Sequence, residues 1–224
     1  VECWTCSCSK VFQGLSLSVA IFRCPSPWLA LRRAAMAEGK AALTDSKVER
    51  MRKTLEPMPR LCAKVVHGFG RGSKLLGFPT ANMKIRWDVV ESPEKLEPQE
   101  KDVLDFARSC EAGIYYGWAQ VSNGSDRGIY KTAMSVGWNP TFPDVKAKTM
   151  EPWILHDYAD DFYDCELRLI ICGFVRPEAK FADFKDLIVA IREDGEFCRE
   201  TLDDEALAAL AKDPFFIAKD AEVA

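Results

Sequence analysis

The chain has 224 residues, 48% of them hydrophobic, with 34 acidic against 30 basic side chains and a formal charge of −4. That length buries one good core or two small ones. Mixed charges without a basic stripe exclude a nucleic-acid backbone as the main partner, and no apolar run approaches the roughly 18 residues that span a bilayer.

In chain order, residues 1–35 hold one acid, Glu2, against Lys10, Arg23, Arg32 and Arg33, among serines and leucines. This composition suits an organellar leader. An extension upstream of Met36 and a secretory signal are rival readings, and the segment is set aside as non-core. The expected location is cytoplasmic, or mitochondrial or another organelle if 1–35 is a true leader. Four of the nine cysteines, Cys3, Cys6, Cys8 and Cys24, lie there. The other five form no CxxC pair, and Cys3-x-x-Cys6 lacks a second pair at zinc spacing, so reduced thiols are expected rather than a disulfide framework or a structural metal.

Residues 36–59 read as an N-terminal helical extension, with amphipathic spacing over 37–55 broken by Pro57 and Pro59. The main domain is placed at 60–212. It opens with a strand over 62–67 that runs into the glycine turn at Gly68, Gly70 and Gly72, followed after Asn82 by a short strand MKIRW. Residues 84–111 form a charged, proline-punctuated insertion whose second half, 101–110, is predicted to be a short helix. Strong strand patterns follow at 113–121, 130–138 and 165–174. Without helices alternating between them, they indicate a mainly antiparallel barrel or sandwich. Phe184, Leu187, Ile188 and Ile191 then share one helical face, with Asp183 as cap, and residues 213–224 are a tail.

The stretch FGRGSKLLGFPTAN at 69–82 resembles two phosphate-binding devices and matches neither. A Walker A loop needs glycine before its lysine and a hydroxyl after it, whereas Lys74 sits between Ser73 and Leu75. A dinucleotide fingerprint needs a helix after its last glycine, which Pro79 opposes. What remains is a glycine turn that lets backbone N–H groups approach an anion, with Arg71 and Lys74 nearby. Beyond it Thr80 and Asn82 share one face of an extended segment, where their oxygens suit a hard cation. A purely structural turn is the alternative. The second constellation is KTMEPWILH at 148–156: Glu151 is a candidate general base and His156 a ligand contact, against a solvated carboxylate and a histidine satisfied by backbone.

Taken together, VVHGFGRGSKLLGFPTAN at 65–82, GIYYGWAQV at 113–121, SVGWNPTF at 135–142, KTMEPWILH and DFYDCELRLIICGFVRPEAKF at 161–181 resemble the riboflavin kinase (flavokinase) family, monofunctional eukaryotic type, over about residues 60–205. The resemblance implies a six-stranded antiparallel Greek-key β-barrel with peripheral helices. It also implies transfer of the ATP γ-phosphoryl group to the ribityl 5′-hydroxyl of riboflavin, giving FMN and ADP, in a chain acting as a monomer. Gly68, Gly70, Gly72 and Lys74 then lie over the nucleotide phosphates, Thr80 and Asn82 hold Mg²⁺ or another divalent ion such as Zn²⁺ or Mn²⁺, and Glu151 is the catalytic base. Ile154, His156 and Tyr163 match positions near the adenine nucleotide, Arg176 the arginine of a mobile flavin-side loop, and Asn139 an asparagine close to the active centre.

Two departures stand out. Pro152-Trp153 replaces the Thr-His of animal members, and Asp164 stands where many members have glycine. A non-catalytic flavin-binding module is the main rival. A bifunctional enzyme that also makes FAD needs a His-x-Gly-His-type motif, which a chain with only His67 and His156 does not offer.

Overall fold

The computed structural model describes residues 48–68, 77–122, 125–138 and 147–216. Among the described residues seven strands lie in chain order: β1 (Lys53–Thr54), β2 (Arg60–Val66), β3 (Asn82–Met83), β4 (Gly113–Val121), β5 (Ile129–Trp138), β6 (Lys148–Ile154) and β7 (Glu166–Pro177). The helices are α1 (Pro98–Ser109), α2 (Phe184–Thr201) and α3 (Glu205–Ala208).

Every strand pairing is antiparallel, in the order β3-β2-β7-β4-β5-β6. Strands β4, β5 and β6 follow one another and β7 returns to lie beside β4, which is a Greek key. The two ends of the sheet meet where Ala81 N–H donates to the Pro152 carbonyl at 2.8 Å, so six strands form a nearly closed barrel. Within a strand a residue's N–H and C=O point to the same side. The N–H that Pro152 lacks would therefore face this seam rather than the continuous β5–β6 ladder, and the seam is where proline costs least.

Alternation, shifted where the β4–β7 ladder is irregular, separates two cores. Leu61, Val65, Met134, Val136, Met150, Leu167 and Leu169 fill the barrel. Tyr116, Trp118, Ile170, Cys172 and Val175 point outward, where Cys198 and Leu202 of α2 and its C-terminal cap join them. Asp183 caps α2, its side chain accepting from Lys185 N–H. The insertion is more integral than its composition implies, since Val103 and Ala107 of α1 belong to the barrel core. Glu97 and Glu100 form a capping box at its start.

The helix expected over 37–55 is not what its described portion, 48–55, forms. Met51 N–H donates to the Val175 carbonyl and Leu55 N–H to that of Cys172, with β1 between them paired to β7. The twelve-residue β7 outreaches β2, and its free edge captures the extension, overriding helical spacing. Cys62, Cys110, Cys165, Cys172 and Cys198 are all free thiols. Burial pushes those of Cys62 and Cys172 up to about 12.

Candidate active site

The Ala81–Pro152 seam positions the site. Ala81 and Met83 fill the barrel, as do Met150 and Ile154 on β6. Alternation then sends Thr80 and Asn82 to the outer face on one side of the seam, and Thr149, Glu151 and Trp153 to the same face on the other. The polar pair and the acid, far apart in sequence, become neighbours across a single backbone hydrogen bond.

Three contacts fix these groups. Gly68 lies against the Asn82 carboxamide: a Cβ there would stand 2.4 Å from Asn82 Nδ2. A side chain at 68 would drive the amide out of place, so this glycine is required by close approach. Thr149 Oγ1 donates to Glu151 Oε1 at 3.1 Å and orients the carboxylate. Trp153 packs edge-on against Phe78, ring centroids 5.1 Å apart, and over Gly195 of α2, where any Cβ would meet the indole at 2.5 Å. The residues before Thr80 and after Glu151 are thus held to each other and to the helix. Tryptophan at 153 fits because α2 offers no side chain opposite it.

Tyr163 stacks on His67, centroids 3.8 Å apart, which puts it beside Gly68 at the start of the glycine turn. Asp164 adopts φ 61°, the left-handed conformation that its place in the family pattern calls for and that Asp tolerates. Its N–H donates to the Val65 carbonyl. Gly70, Gly72, Lys74 and Asn139 lie outside the described residues.

The remaining positions fall elsewhere. Ile154 points into the barrel core at 4% exposure, so any contact it makes to a ligand is through its backbone. His156 lies beyond the end of β6, stacked on Tyr130 with centroids 3.7 Å apart, and its Nε2 is 2.9 Å from Asp126 Oδ2. A carboxylate satisfies it, rather than backbone. Asp126 also accepts from Gly128 N–H and the Tyr130 hydroxyl, and these bonds, with His156, hold its carboxyl below the usual range.

Arg176 departs most from expectation. It stands inside β7, not on a loop, with its side chain 3% exposed. Its Nε and Nη2 donate to Asp194 of α2, the shortest contact 2.6 Å, and Nη1 donates to the Pro177 carbonyl. Asp194 also accepts from Arg50 Nε at 2.8 Å, so one buried carboxylate ties together the N-terminal extension, β7 and α2. The guanidinium is turned into the protein and is spent there.

Sequence reading also missed Glu178. After β7 the chain crosses the ends of β4 and β5, where Gly113 pairs with both Pro177 and Val136. The Glu178 carboxylate comes to rest over Gly137, with Oε1 2.6 Å from where a Cβ would be. No local pattern announces such a contact; the signal was a glycine in a strand, which marks close approach of another group.

A cavity of about 730 Å³ lies between the insertion and the β5–β6 ends, lined by Trp87, Arg108, Trp138 and Lys148 among others. Trp138 and Lys148 alternate with Gly137 and Thr149, so it opens on the other side of these strands from Glu151. Among the described residues no group of three or more His, Cys, Asp or Glu could hold a metal. Thr80 and Asn82 offer neutral oxygens instead, a donor set that fits Mg²⁺ retaining water and phosphate ligands.

The family model described as "Flavokinase: Riboflavin kinase" matches residues 55–202. The chain is 39% identical over 163 residues to a riboflavin kinase of Mus musculus, covering 72% of this chain and 93% of that protein. It is 38% identical over 160 residues to the riboflavin kinase of Homo sapiens, covering 71% and 91%. It is also 44% identical over 151 residues to a bifunctional riboflavin kinase/FMN phosphatase of Arabidopsis thaliana, covering 67% of this chain but spanning only 35% of that protein.

Proposed function

The chain belongs to the riboflavin kinase family, and on that premise we propose that it transfers the γ-phosphoryl group of ATP to the ribityl 5′-hydroxyl of riboflavin, giving FMN and ADP. One observation carries the assignment of the site: the Ala81–Pro152 bond that sets Thr80 and Asn82 beside Glu151 on the barrel's outer face. Phosphoryl transfer asks a protein mainly for in-line placement and neutralisation of charge on oxygen. A primary alcohol also needs somewhere to send its proton.

Glu151 serves that need. Thr149 holds Oε1, which leaves Oε2 to accept the hydroxyl proton as the new P–O bond forms. The glycine turn from Gly68 through Gly70 and Gly72 to Lys74 is assigned to the phosphates, since its glycines suit close approach of N–H groups and Arg71 and Lys74 bring positive charge. Thr80 and Asn82 would hold Mg²⁺, which when bound would neutralise charge on the phosphate oxygens. Tyr163, beside Gly68, serves the nucleotide side, and His156 with Tyr130 offers a flat surface at the end of β6. Arg176 acts as a structural anchor. Asn139 is assigned to the reacting centre on the family resemblance alone.

Incubation with riboflavin, ATP and Mg²⁺, followed by chromatography that resolves FMN from FAD, tests the reading. FMN alone should appear; bound but unchanged riboflavin would favour the flavin-binding module. Asn82→Ala should weaken Mg·ATP binding at least about tenfold, the scale on which groups that hold or orient metals act. Riboflavin binding without nucleotide should not change. Equal losses in isothermal titrations of both ligands would show Asn82 to be structural.

A further inference from the structure

The carboxylate over Gly137 is unexplained by the phosphoryl-transfer machinery. Glu178 is exposed, and its side chain has no hydrogen-bond partner among the described residues. Gly137 pairs with Thr149, and Ser135 with Glu151. Directly opposed residues share a face, so Gly137 and Ser135 lie with Thr149 and Glu151 on the outer face. Glycine at 137 removes the one side chain that would separate Glu178 from this row. The result is a line of oxygens, Glu178, Thr149, Glu151 and Ser135, along the outer face where β5 and β6 pair.

We propose that Glu178 is a specificity-determining and positioning residue that accepts a hydrogen bond from a secondary hydroxyl of the polyol chain of the phosphoryl acceptor, setting the register of the terminal hydroxyl against Glu151. This rests on the riboflavin kinase reading and adds a residue to it. A carboxylate is acceptor-only, and close to the reacting terminal hydroxyl its match in a flavin is the ribityl chain, whose hydroxyls are donors, rather than the distant ring N3–H. The acceptor stands one cross-strand pair from the base, the spacing needed to bind one hydroxyl of a polyol while another is deprotonated. A site built to bond a hydroxyl rejects an analogue that lacks it far more strongly than an apolar pocket rejects an extra group. Position 137 controls the device, because an alanine methyl there meets only the far end of a flexible side chain and displaces it at little cost to the fold.

The test compares riboflavin with 10-(5-hydroxypentyl)isoalloxazine, which keeps the terminal hydroxyl and lacks the others, in wild type, Glu178→Ala, Glu178→Gln, Gly137→Ala and the Gly137→Ala/Glu178→Ala double variant. For riboflavin, kcat/KM should fall about 10–100-fold in Glu178→Ala, the effect of losing one charge-assisted bond. Most of the loss should appear in KM. Glu178→Gln, still an acceptor, should recover much of it. Gly137→Ala should mimic Glu178→Ala with an unchanged melting temperature, and the double variant should add nothing further. The hydroxypentyl analogue should react equally with all five proteins. Equal losses for both substrates, or unchanged riboflavin kinetics in Glu178→Ala, would overturn the proposal while leaving the kinase reading intact. A wild type that makes no FMN would overturn both.

Discussion

Replacing Glu151 by glutamine is expected to leave the protein folded and ATP bound while turnover falls about 10²–10⁴-fold, the usual contribution of a positioned general base. Glutamine has the same shape and still accepts from Thr149 through its carbonyl oxygen, so the loss isolates proton acceptance from packing. The residue is half-buried on the outer face and belongs to neither hydrophobic core. Steady-state FMN formation gives the turnover, while thermal melts and nucleotide titration show whether fold and ATP site survive. Near-normal turnover would remove Glu151 from the chemistry and reduce the Thr149–Glu151 pair to surface structure.

Replacing Asp194 by alanine should damage the fold rather than the chemistry. Asp194 and Arg176 are each 3% exposed at the side chain, and Arg50 shares the same carboxylate. Removing the carboxylate strands the buried guanidinium of Arg176 and takes one partner from that of Arg50, which keeps Glu193. Breaking a buried pair in this way costs about 3–5 kcal/mol. At ~2–4 °C per kcal/mol for a protein of this size, the melting temperature should drop by roughly 6–20 °C. Arg50→Ala should cost less, because Arg176 keeps its partner. If Arg176 instead served flavin from a mobile loop, Asp194→Ala would change riboflavin affinity with little change in melting temperature, and differential scanning calorimetry beside riboflavin titration separates the two results.

The antiparallel strands were legible in the sequence because they carry their own signals, while the choice of barrel over sandwich came from the family resemblance. Residues 113–121 were placed to the residue, and 130–138 within one, by β-branched and aromatic alternation between turns. Strand β6 escaped as an element because Pro152 interrupts it, and only the seam explains why proline is tolerated there. The extension at 48–55 was misread as helical because its spacing is local information, while the edge of β7 that captures it is not. Thr80, Asn82 and Glu151 were selected by residue type and by resemblance to a family. Their adjacency required the Ala81–Pro152 closure, which no local pattern encodes. Arg176 was matched by motif position to a flavin-side loop, and its place in β7 beside Asp194 could not be read there, because that carboxylate comes from a helix the motif does not include. Gly137 and Glu178 were invisible for the same reason, since a missing side chain matters only through what a distant segment places over it.

Transfer of label from [γ-³²P]ATP to riboflavin separates kinase chemistry from flavin binding alone. The wild-type protein, given Mg²⁺, should place the label in FMN in step with ADP formation, and Glu151→Gln should form almost none. Label released only as inorganic phosphate, or riboflavin left unphosphorylated while bound, would contradict the kinase reading.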